Sequence, residues 1–358
     1  MGFPATLTAS QGTGKVAGIV SNPKRILLTG GAGFVGSHVA EALLRSQVSL
    51  GIVDNLDDFY SPVWKRANLE SVRKAGAFDF FEEDICSPER MGEIFASARP
   101  DVVIHLAARA GVRPSIEQPR LYERVNVAGT VNLLELCRKF GVSRFIFGSS
   151  SSVYGACTRA PFSEAQSGLI PISPYAATKL AGELLCHTYA HLHGLPVIAF
   201  RFFTVYGPRQ RPDLAIHKFV ARIEAGKPVP IFGDGESGRD YTYVDDIVAG
   251  VLGGLNYNFS AARADRGIVD RAEAAPFEIF NLGNSRPVKL SELVRLLERA
   301  TGKKAIVHRD APQPGDVPLT WADTSKAEKL LGYRPQTSIE EGLAKFVAWY
   351  RAAAYIPR

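Results

Sequence analysis

No run in this chain approaches the ~18 consecutive apolar residues that a membrane-spanning helix demands, so the sequence offers no membrane partner. Cysteine is scarce. The four present, at 86, 137, 157 and 186, form neither a Cys-x-x-Cys pair nor a Cys/His cluster. That spacing argues against both a disulfide framework and a zinc centre, and it suits free thiols in a reducing, cytoplasmic compartment with no bound metal. Charge of one sign is also sparse. A net charge of +6 over 358 residues, without Lys/Arg blocks, excludes nucleic acid as the expected partner but suits anionic small ligands. No internal repeat is visible. What remains is an ordinary globular composition, 46% hydrophobic and 22% charged, at a length that suggests about two domains.

Residues 1–22 have no helical period and no charged segment followed by a sustained apolar stretch, so they read as a disordered extension rather than a signal peptide. "MGFPAT" fits a myristoylation pattern only loosely, since Phe3 and Pro4 are unfavourable. "GTGK" lacks the first glycine and the following Ser/Thr of a phosphate loop, with Ala9 and Val16 in those places.

From Arg25 onward, short runs rich in β-branched and aromatic residues alternate with longer amphipathic ones. The expected fold is α/β: a Rossmann-type, doubly wound parallel sheet with a smaller C-terminal substrate-binding lobe. Strands are expected at 25–30, 49–55, 78–84, 102–108, 144–150 and 197–203, with helices starting near Phe34, Pro88, Glu117 and Pro174. The dinucleotide-binding domain is placed at 23–204 and the lobe at 205–358, with some of the lobe's segments free to return to the first domain. The 57–69 stretch reads as a loop and 256–276 as a polar excursion. Two late helices are expected around 291–301 and 338–353.

Gly30, Gly33 and Gly36 stand between the first strand and first helix, where bare backbone can turn tightly and lie against a pyrophosphate at the helix N-terminus. Phe34 and Val35 share that turn. Asp54 ends the second strand, with Asn55 behind it. A carboxylate there accepts ribose hydroxyls and repels a 2′-phosphate, so NAD is expected over NADP. Asp84 and Ile85 end the third strand, either against the adenine or simply as the approach to the helix at Pro88. Leu106, Ala107 and Ala108 close the fourth strand with side chains small enough for a cofactor to reach the backbone. His105 reads as a packed strand residue, and Asp245 and Asp246 as helix-start caps.

"PISPYAATKLAGE" (171–183) puts Tyr175 and Lys179 on one helical face. With 12 tyrosines in the chain the spacing alone is weak. A phenol of pKa ~10 cannot act as a base near neutrality unless nearby positive charge lowers that value, and Lys179 is placed to do so.

The glycine triplet, Asp54, "HLAA" (105–108), Asn126, the serines at 149–152, Tyr175 and Lys179, in that order, resemble the extended short-chain dehydrogenase/reductase family. Over about residues 24–350 the chain is similar to its sugar-nucleotide epimerases. The resemblance implies resident NAD, Tyr175 as acid and base, Lys179 as its support, and Ser150 bonded to the reacting sugar oxygen. Related 4,6-dehydratases carry an Asp–Glu pair at the places of Ser151 and Ser152, and related decarboxylases a Glu; hydroxyls here imply C4 epimerisation without elimination. Thr204, Arg209 and Arg211 resemble the pocket wall of UDP-glucuronate 4-epimerases, Arg211 being the candidate for the carboxylate. The two arginines are alternatively solvated or bound to nucleotide phosphate. Arg113 and Arg239 are expected at the substrate, Arg239 at its diphosphate. Helices over 117–140 and 174–193 carry apolar residues on more than one face, and the resemblance implies that they form a homodimer bundle. The expected reaction converts UDP-glucuronate to UDP-galacturonate. UDP-glucose 4-epimerisation, then UDP-glucuronate decarboxylation, are the alternatives; a non-enzymatic NAD-binding regulator would be expected to have lost Tyr175 or Lys179.

Overall fold

The computed structural model describes residues 25–157, 159–260, 275–311 and 317–353. The expectations for 1–22, and for most of the 256–276 excursion, lie outside them. In chain order, β1 (Arg25–Thr29) leads to α1 (Phe34–Arg45), β2 (Ser49–Val53), α2 (Pro62–Arg73), β3 (Asp79–Phe81), α3 (Pro88–Ala98) and β4 (Val102–His105). Two short helices, α4 (Val112–Glu117) and α5 (Pro119–Glu123), and a π turn over Arg124–Ala128 precede α6 (Gly129–Phe140). There follow β5 (Arg144–Ser150), a 3-10 turn over Ser151–Tyr154, α7 (Pro174–His193) and β6 (Val197–Phe202). The remainder is β7 (Thr204–Tyr206), α8 (Ala215–Glu224), β8 (Val229–Phe232), β9 (Gly238–Tyr243), α9 (Val244–Leu255), β10 (Phe277–Leu282), β11 (Pro287–Lys289), α10 (Leu290–Thr301), β12 (Val307–Asp310), α11 (Ser325–Leu331) and α12 (Ile339–Ala352).

Seven strands form a parallel sheet in the order β10-β6-β5-β4-β1-β2-β3. Strand order reverses between β1 and β4, and in doubly wound sheets the crevice at the carboxyl ends beside that reversal takes the ligand. The central strands are buried on both faces, Leu27, Val103, Phe145 and Ala199 on one side and Leu28, Ile104, Ile146 and Ile198 on the other. That double covering is why they read as continuous apolar runs. A second core joins Ile216, Phe219 and Val220 of α8 to Leu293 and Leu297 of α10 and to Leu343 and Phe346 of α12. Phe34, on the glycine turn, belongs to this second core and so couples the lobe to the cofactor crevice.

Two expectations are corrected. The 57–69 stretch is a loop only to Ser61. Pro62, at the first helical position where its missing N–H is harmless, starts α2, which buries Trp64, Asn68, Leu69 and Val72 at helical spacing. The helix expected from 117 to 140 is interrupted, because Pro119 cannot continue the hydrogen-bond ladder and the chain restarts at Gln118. Segments of the 205–358 region do return to the first domain: β10 pairs with β6, and Ile247, Val248 and Val251 of α9 share a core with α1.

Candidate active site

The carboxyl ends of β1, β2, β4 and β5 open into one cleft of about 1180 Å3. Its floor is the glycine turn. Gly30 has φ +74°, and a Cβ there would lie 2.6 Å from the Ala107 nitrogen; at Gly36 a Cβ would lie 2.1 Å from the Gly30 carbonyl oxygen. Only glycine fits either place. Gly33 caps α1, whose first turn holds no acidic residue and whose backbone N–H groups therefore stay open to an anion.

Gly30, Gly33, Phe34, Val35 and Gly36 all line the cleft, as do Asp54, Asn55, Asp84, Ile85, Leu106, Ala107 and Ala108. Asp54 is buried, accepts from the Ala32 N–H at 3.1 Å and the Leu56 N–H at 2.9 Å, and lies 3.7 Å from the Lys65 ammonium. Burial raises its pKa, while Lys65 and the two N–H groups oppose that rise. Asp84 turns its carboxylate to the Cys86 N–H at 2.9 Å. A bare-backbone turn at an open helix end, followed by a carboxylate at the tip of β2, fits the pyrophosphate and ribose of NAD.

At the other end of the cleft stand Tyr175 and Lys179, the second residue of α7 and one turn further on. Ser173 caps α7 by accepting from the Ala176 N–H, and Pro174 fixes the entry, which aims Tyr175 into the cleft. The Tyr175 ring packs edge-on against Tyr122 with centroids 6.2 Å apart. Burial raises the phenol's pKa, while the Ser150 hydroxyl and the Arg211 guanidinium pull it down. Lys179 donates to the Gly148 carbonyl at 2.6 Å and lies 5.1 Å from the Phe147 ring centre; burial lowers its pKa to about 8. The cation that pulls the Tyr175 phenol down is thus Arg211, where the sequence suggested Lys179.

Ser150 ends β5, and its Oγ accepts from the Ser152 N–H at 3.2 Å and lies 3.0 Å from the Ser152 hydroxyl. Ser151 and Ser152 open the 3-10 turn, so hydroxyls occupy the positions where a second acid or base would stand. Arg211 lines the cleft; its Nε and Nη2 are held bidentately by Asp213 at 2.9 and 3.0 Å, and it lies 5.5 Å from the Phe59 ring centre.

Of the expected substrate residues only Arg211 lines this cleft; Ser151, Ser152, Thr204, Arg209, Arg113 and Arg239 do not, and neither does Ser150. Arg209 is spent on structure: it bonds Glu41 at 2.5 Å and Ser37 at 3.2 Å, tying its loop to α1. Arg113 stacks on Phe232 with its guanidinium carbon 4.8 Å from the ring centre, and Arg239 donates to the Gly238 carbonyl at 2.9 Å. Thr204 starts β7 opposite Tyr241. Asp245 and Asp246 lie in the first turn of α9 but do not cap it. The cap position is Tyr243, and Asp246 instead accepts from the Gln336 and Thr337 N–H groups. His105 is buried between Thr29 and Thr130, and burial drops its pKa to about 3, which keeps it neutral in the strand.

Sequence reasoning missed Phe59, Tyr60, Lys65 and Arg109, which also line the cleft. Arg109 pairs with Asp57 and stacks on Phe59, and its backbone is clamped by Asn126, which accepts its N–H at 2.8 Å and donates to its carbonyl at 3.0 Å. The place of Arg109 just past β4 was a usable signal, because ligand residues gather at strand carboxyl ends; nothing comparable pointed to Tyr60.

This geometry has close relatives. Residues 27–346 match the model of the family described as GDP-mannose 4,6 dehydratase. The chain belongs to that family. A UDP-glucuronate 4-epimerase from Thermodesulfobacterium geofontis is 43% identical over 324 residues, 90% of this chain and 95% of that protein. The UDP-glucuronate 4-epimerase 4 of Arabidopsis thaliana is 42% identical over 98% of this chain and 80% of its own length. Among solved structures, a UDP-glucuronic acid 4-epimerase from Bacillus cereus in complex with UDP-glucuronic acid and NAD superposes with a TM-score of 0.82 at 36% identity, covering 91% of this chain and 99% of that one. Among the described residues no helix is long and apolar enough to cross a membrane, and no His/Cys/Asp/Glu group could hold a metal.

Proposed function

We propose that this protein inverts carbon 4 of a UDP-sugar, with UDP-glucuronate as the substrate, UDP-galacturonate as the product and NAD as a resident cofactor. The observation that carries the reading is one cleft in which the NAD cradle, the Tyr175–Lys179 pair and a cationic Arg211 meet.

Gly30, Gly33 and Gly36 would hold the pyrophosphate of NAD, Asp54 its adenosine ribose, and Lys179 the far ribose. Bound there, NAD supplies the acceptor and later the donor of the C4 hydride. The rest is the work of the chain. Tyr175 as phenolate takes the C4 hydroxyl proton, and Ser150 holds the sugar oxygen as it becomes a carbonyl. Lys179, anchored on the Gly148 carbonyl, keeps an ammonium one turn from the phenolate. The 4-keto sugar then turns over in the cleft, so that the hydride would return to the opposite face of C4 while Tyr175 gives the proton back to the C4 oxygen. With hydroxyls at 151 and 152 no carboxylate stands there to remove a second proton, so neither dehydration nor decarboxylation is assisted.

A 4-keto uronate is a β-keto acid and loses CO2 when its carboxylate bond aligns with the carbonyl π system. Arg211, which lines the cleft, restrains that carboxylate. Asp213 already occupies the Nε–Nη2 edge of Arg211, which leaves the Nη1 end for a single contact rather than a bidentate clamp. That observation favours a second reading, UDP-glucose 4-epimerisation, in which Arg211 serves the phenol alone.

The two separate in one assay. Purified protein is given UDP-glucuronate or UDP-glucose without added NAD, and the C4 epimers are resolved chromatographically. UDP-galacturonate formation supports the proposal; turnover of UDP-glucose alone transfers it to the second reading; no turnover of either refutes both. The exposed leucines of α7 further support a homodimer built on α6 and α7.

A further inference from the structure

Beneath the serine turn lies a buried ionic network that the proposed chemistry does not use. Glu183 stands on α7 one turn after Lys179 and two turns after Tyr175, so the three share a face. Its carboxylate accepts from Arg201 Nε at 2.9 Å and Nη2 at 2.7 Å and from the Ser149 hydroxyl at 2.5 Å. Both members of the ion pair are almost wholly buried, with side-chain exposures of 4% for Arg201 and 3% for Glu183. Arg201 lies on β6 directly opposite Ser149 of β5. Its remaining nitrogen, Nη1, has no hydrogen-bond partner, and the guanidinium lies 4.8 Å from the Tyr154 ring centre. Tyr154 closes the turn that carries Ser151 and Ser152, and its hydroxyl donates to Asn281 of β10 at 2.7 Å.

Burying two charges costs several kcal/mol per ion before their attraction returns it, and an apolar pair of equal volume would serve stability as well. Charges kept in such a place require another account. We propose that the Glu183–Arg201 pair is a positioning element, which locks the acid–base helix α7 to the serine turn and keeps a fixed negative charge beside Lys179. Ser149 and Arg201 hold Glu183 from two adjacent strands, so the helix bearing Tyr175 cannot slide relative to Ser150. The groups facing Lys179 are Tyr175, Glu183 and Cys186 on its own helix, His105 from β4, and the Gly148 carbonyl and Phe147 ring from β5. His105 is neutral, and burial keeps the Cys186 thiol protonated. Glu183 is therefore the anion that offsets the desolvation of the Lys179 ammonium.

The inference rests on the reading of Tyr175 and Lys179 as the acid–base pair, and the test separates the two. Glu183→Gln, which keeps the shape and loses the charge, is compared with the parent in NAD-loaded form. Steady-state rates are measured across pH 6 to 10. In parallel, Tyr175 ionisation is titrated by ultraviolet difference against a Tyr175→Phe variant, which needs no turnover. The expected result is a kcat about tenfold lower with KM changed less than about threefold, since the lost contacts matter to the chemical step rather than to binding. The alkaline limb should move about half a pH unit toward acid, and the phenol midpoint should move up, because Lys179 sheds its proton earlier. Ser149→Ala, which leaves the ion pair intact, should lower kcat by about threefold without moving the limb. Should Glu183→Gln fold poorly, Arg201→Lys keeps both charges but loses the bidentate grip; it should lower kcat and leave the limb in place. Unshifted limb and midpoint in Glu183→Gln, or activity lost only in proportion to folded protein, overturns the proposal. A shifted midpoint in a protein that turns over neither UDP-sugar sustains it while refuting the function.

Discussion

Lys179 is the residue whose charge state the site holds closest to its working range. Burial brings its pKa down to about 8, so the ammonium is present below that pH and lost above it. Its support of the Tyr175 phenolate is lost in the same window, and turnover should fall as pH rises through about 8. A pH–rate profile on the NAD-loaded enzyme checks this; a rate still climbing at pH 9 contradicts it. Lys179→Met should lower kcat by about a hundredfold or more, within the range that positioned acid–base groups contribute. Arg211 acts on both the phenol and the proposed carboxylate, so Arg211→Ala should raise the pentose by-product from UDP-glucuronate or abolish uronate turnover. Unchanged uronate kinetics, read by product chromatography, would remove Arg211 from the mechanism. At the cradle, Gly36→Ala sets a methyl against the Gly30 carbonyl with no flexible side chain to yield. Purified G36A should carry at least about tenfold less NAD than the parent, measured by releasing and quantifying the dinucleotide.

At the scale of elements, the π turn over Arg124–Ala128 does what a regular helix could not. It turns Asn126 inward, buried, to clamp the backbone at Arg109 and to donate to Thr178 of α7 at 3.0 Å. Helix α7 is thereby tied to the end of β4 next to Lys179. Asn126→Ala leaves several buried polar groups unpaired at once and should cost about 3 kcal/mol of stability, seen as a lowered Tm, together with a loss of kcat. The sheet was legible because strands covered on both faces become uninterrupted apolar runs, and α7 because Ser173 and Pro174 announce its start. Helix α2 was hidden: Lys65, Arg66 and Asn68 disguise an apolar stripe made of only Trp64, Leu69 and Val72. The seventh strand was hidden for a different reason. Its partner β6 lies 80 positions earlier in register, Phe277 standing opposite Val197 and Leu282 opposite Phe202, and no local pattern encodes a pairing at that distance. The cofactor residues were legible for the opposite reason, since bare glycines and a strand-end carboxylate are required by local geometry. The substrate arginines were not, because a guanidinium reads the same in sequence whether it meets a ligand, as Arg211 can, or a neighbouring carboxylate, as Arg209 does.

At the scale of the whole molecule, the face of α7 turned away from the cleft carries leucines left exposed among the described residues. Leu184 is 62% exposed and Leu192 66%, eight residues apart and so on neighbouring parts of one helical face. Leu184 is nine residues past Tyr175, about half a helical turn round from it, so the catalytic face and the apolar face are opposed. Burying each leucine against a second copy would contribute about 2 kcal/mol, which two copies of the helix double. Replacing both with Asp, which no apolar interface accepts without cost, should convert a dimeric parent to a monomer in sedimentation velocity at micromolar concentration. Because the substituted positions point away from Tyr175 and Lys179, the monomeric variant should still retain NAD. Its kcat should fall only as far as α7 loosens against β5, where Glu183 and Ser149 meet. A parent that already sediments as a monomer would leave this face without the proposed occupant, and a variant that stays dimeric would place the interface elsewhere.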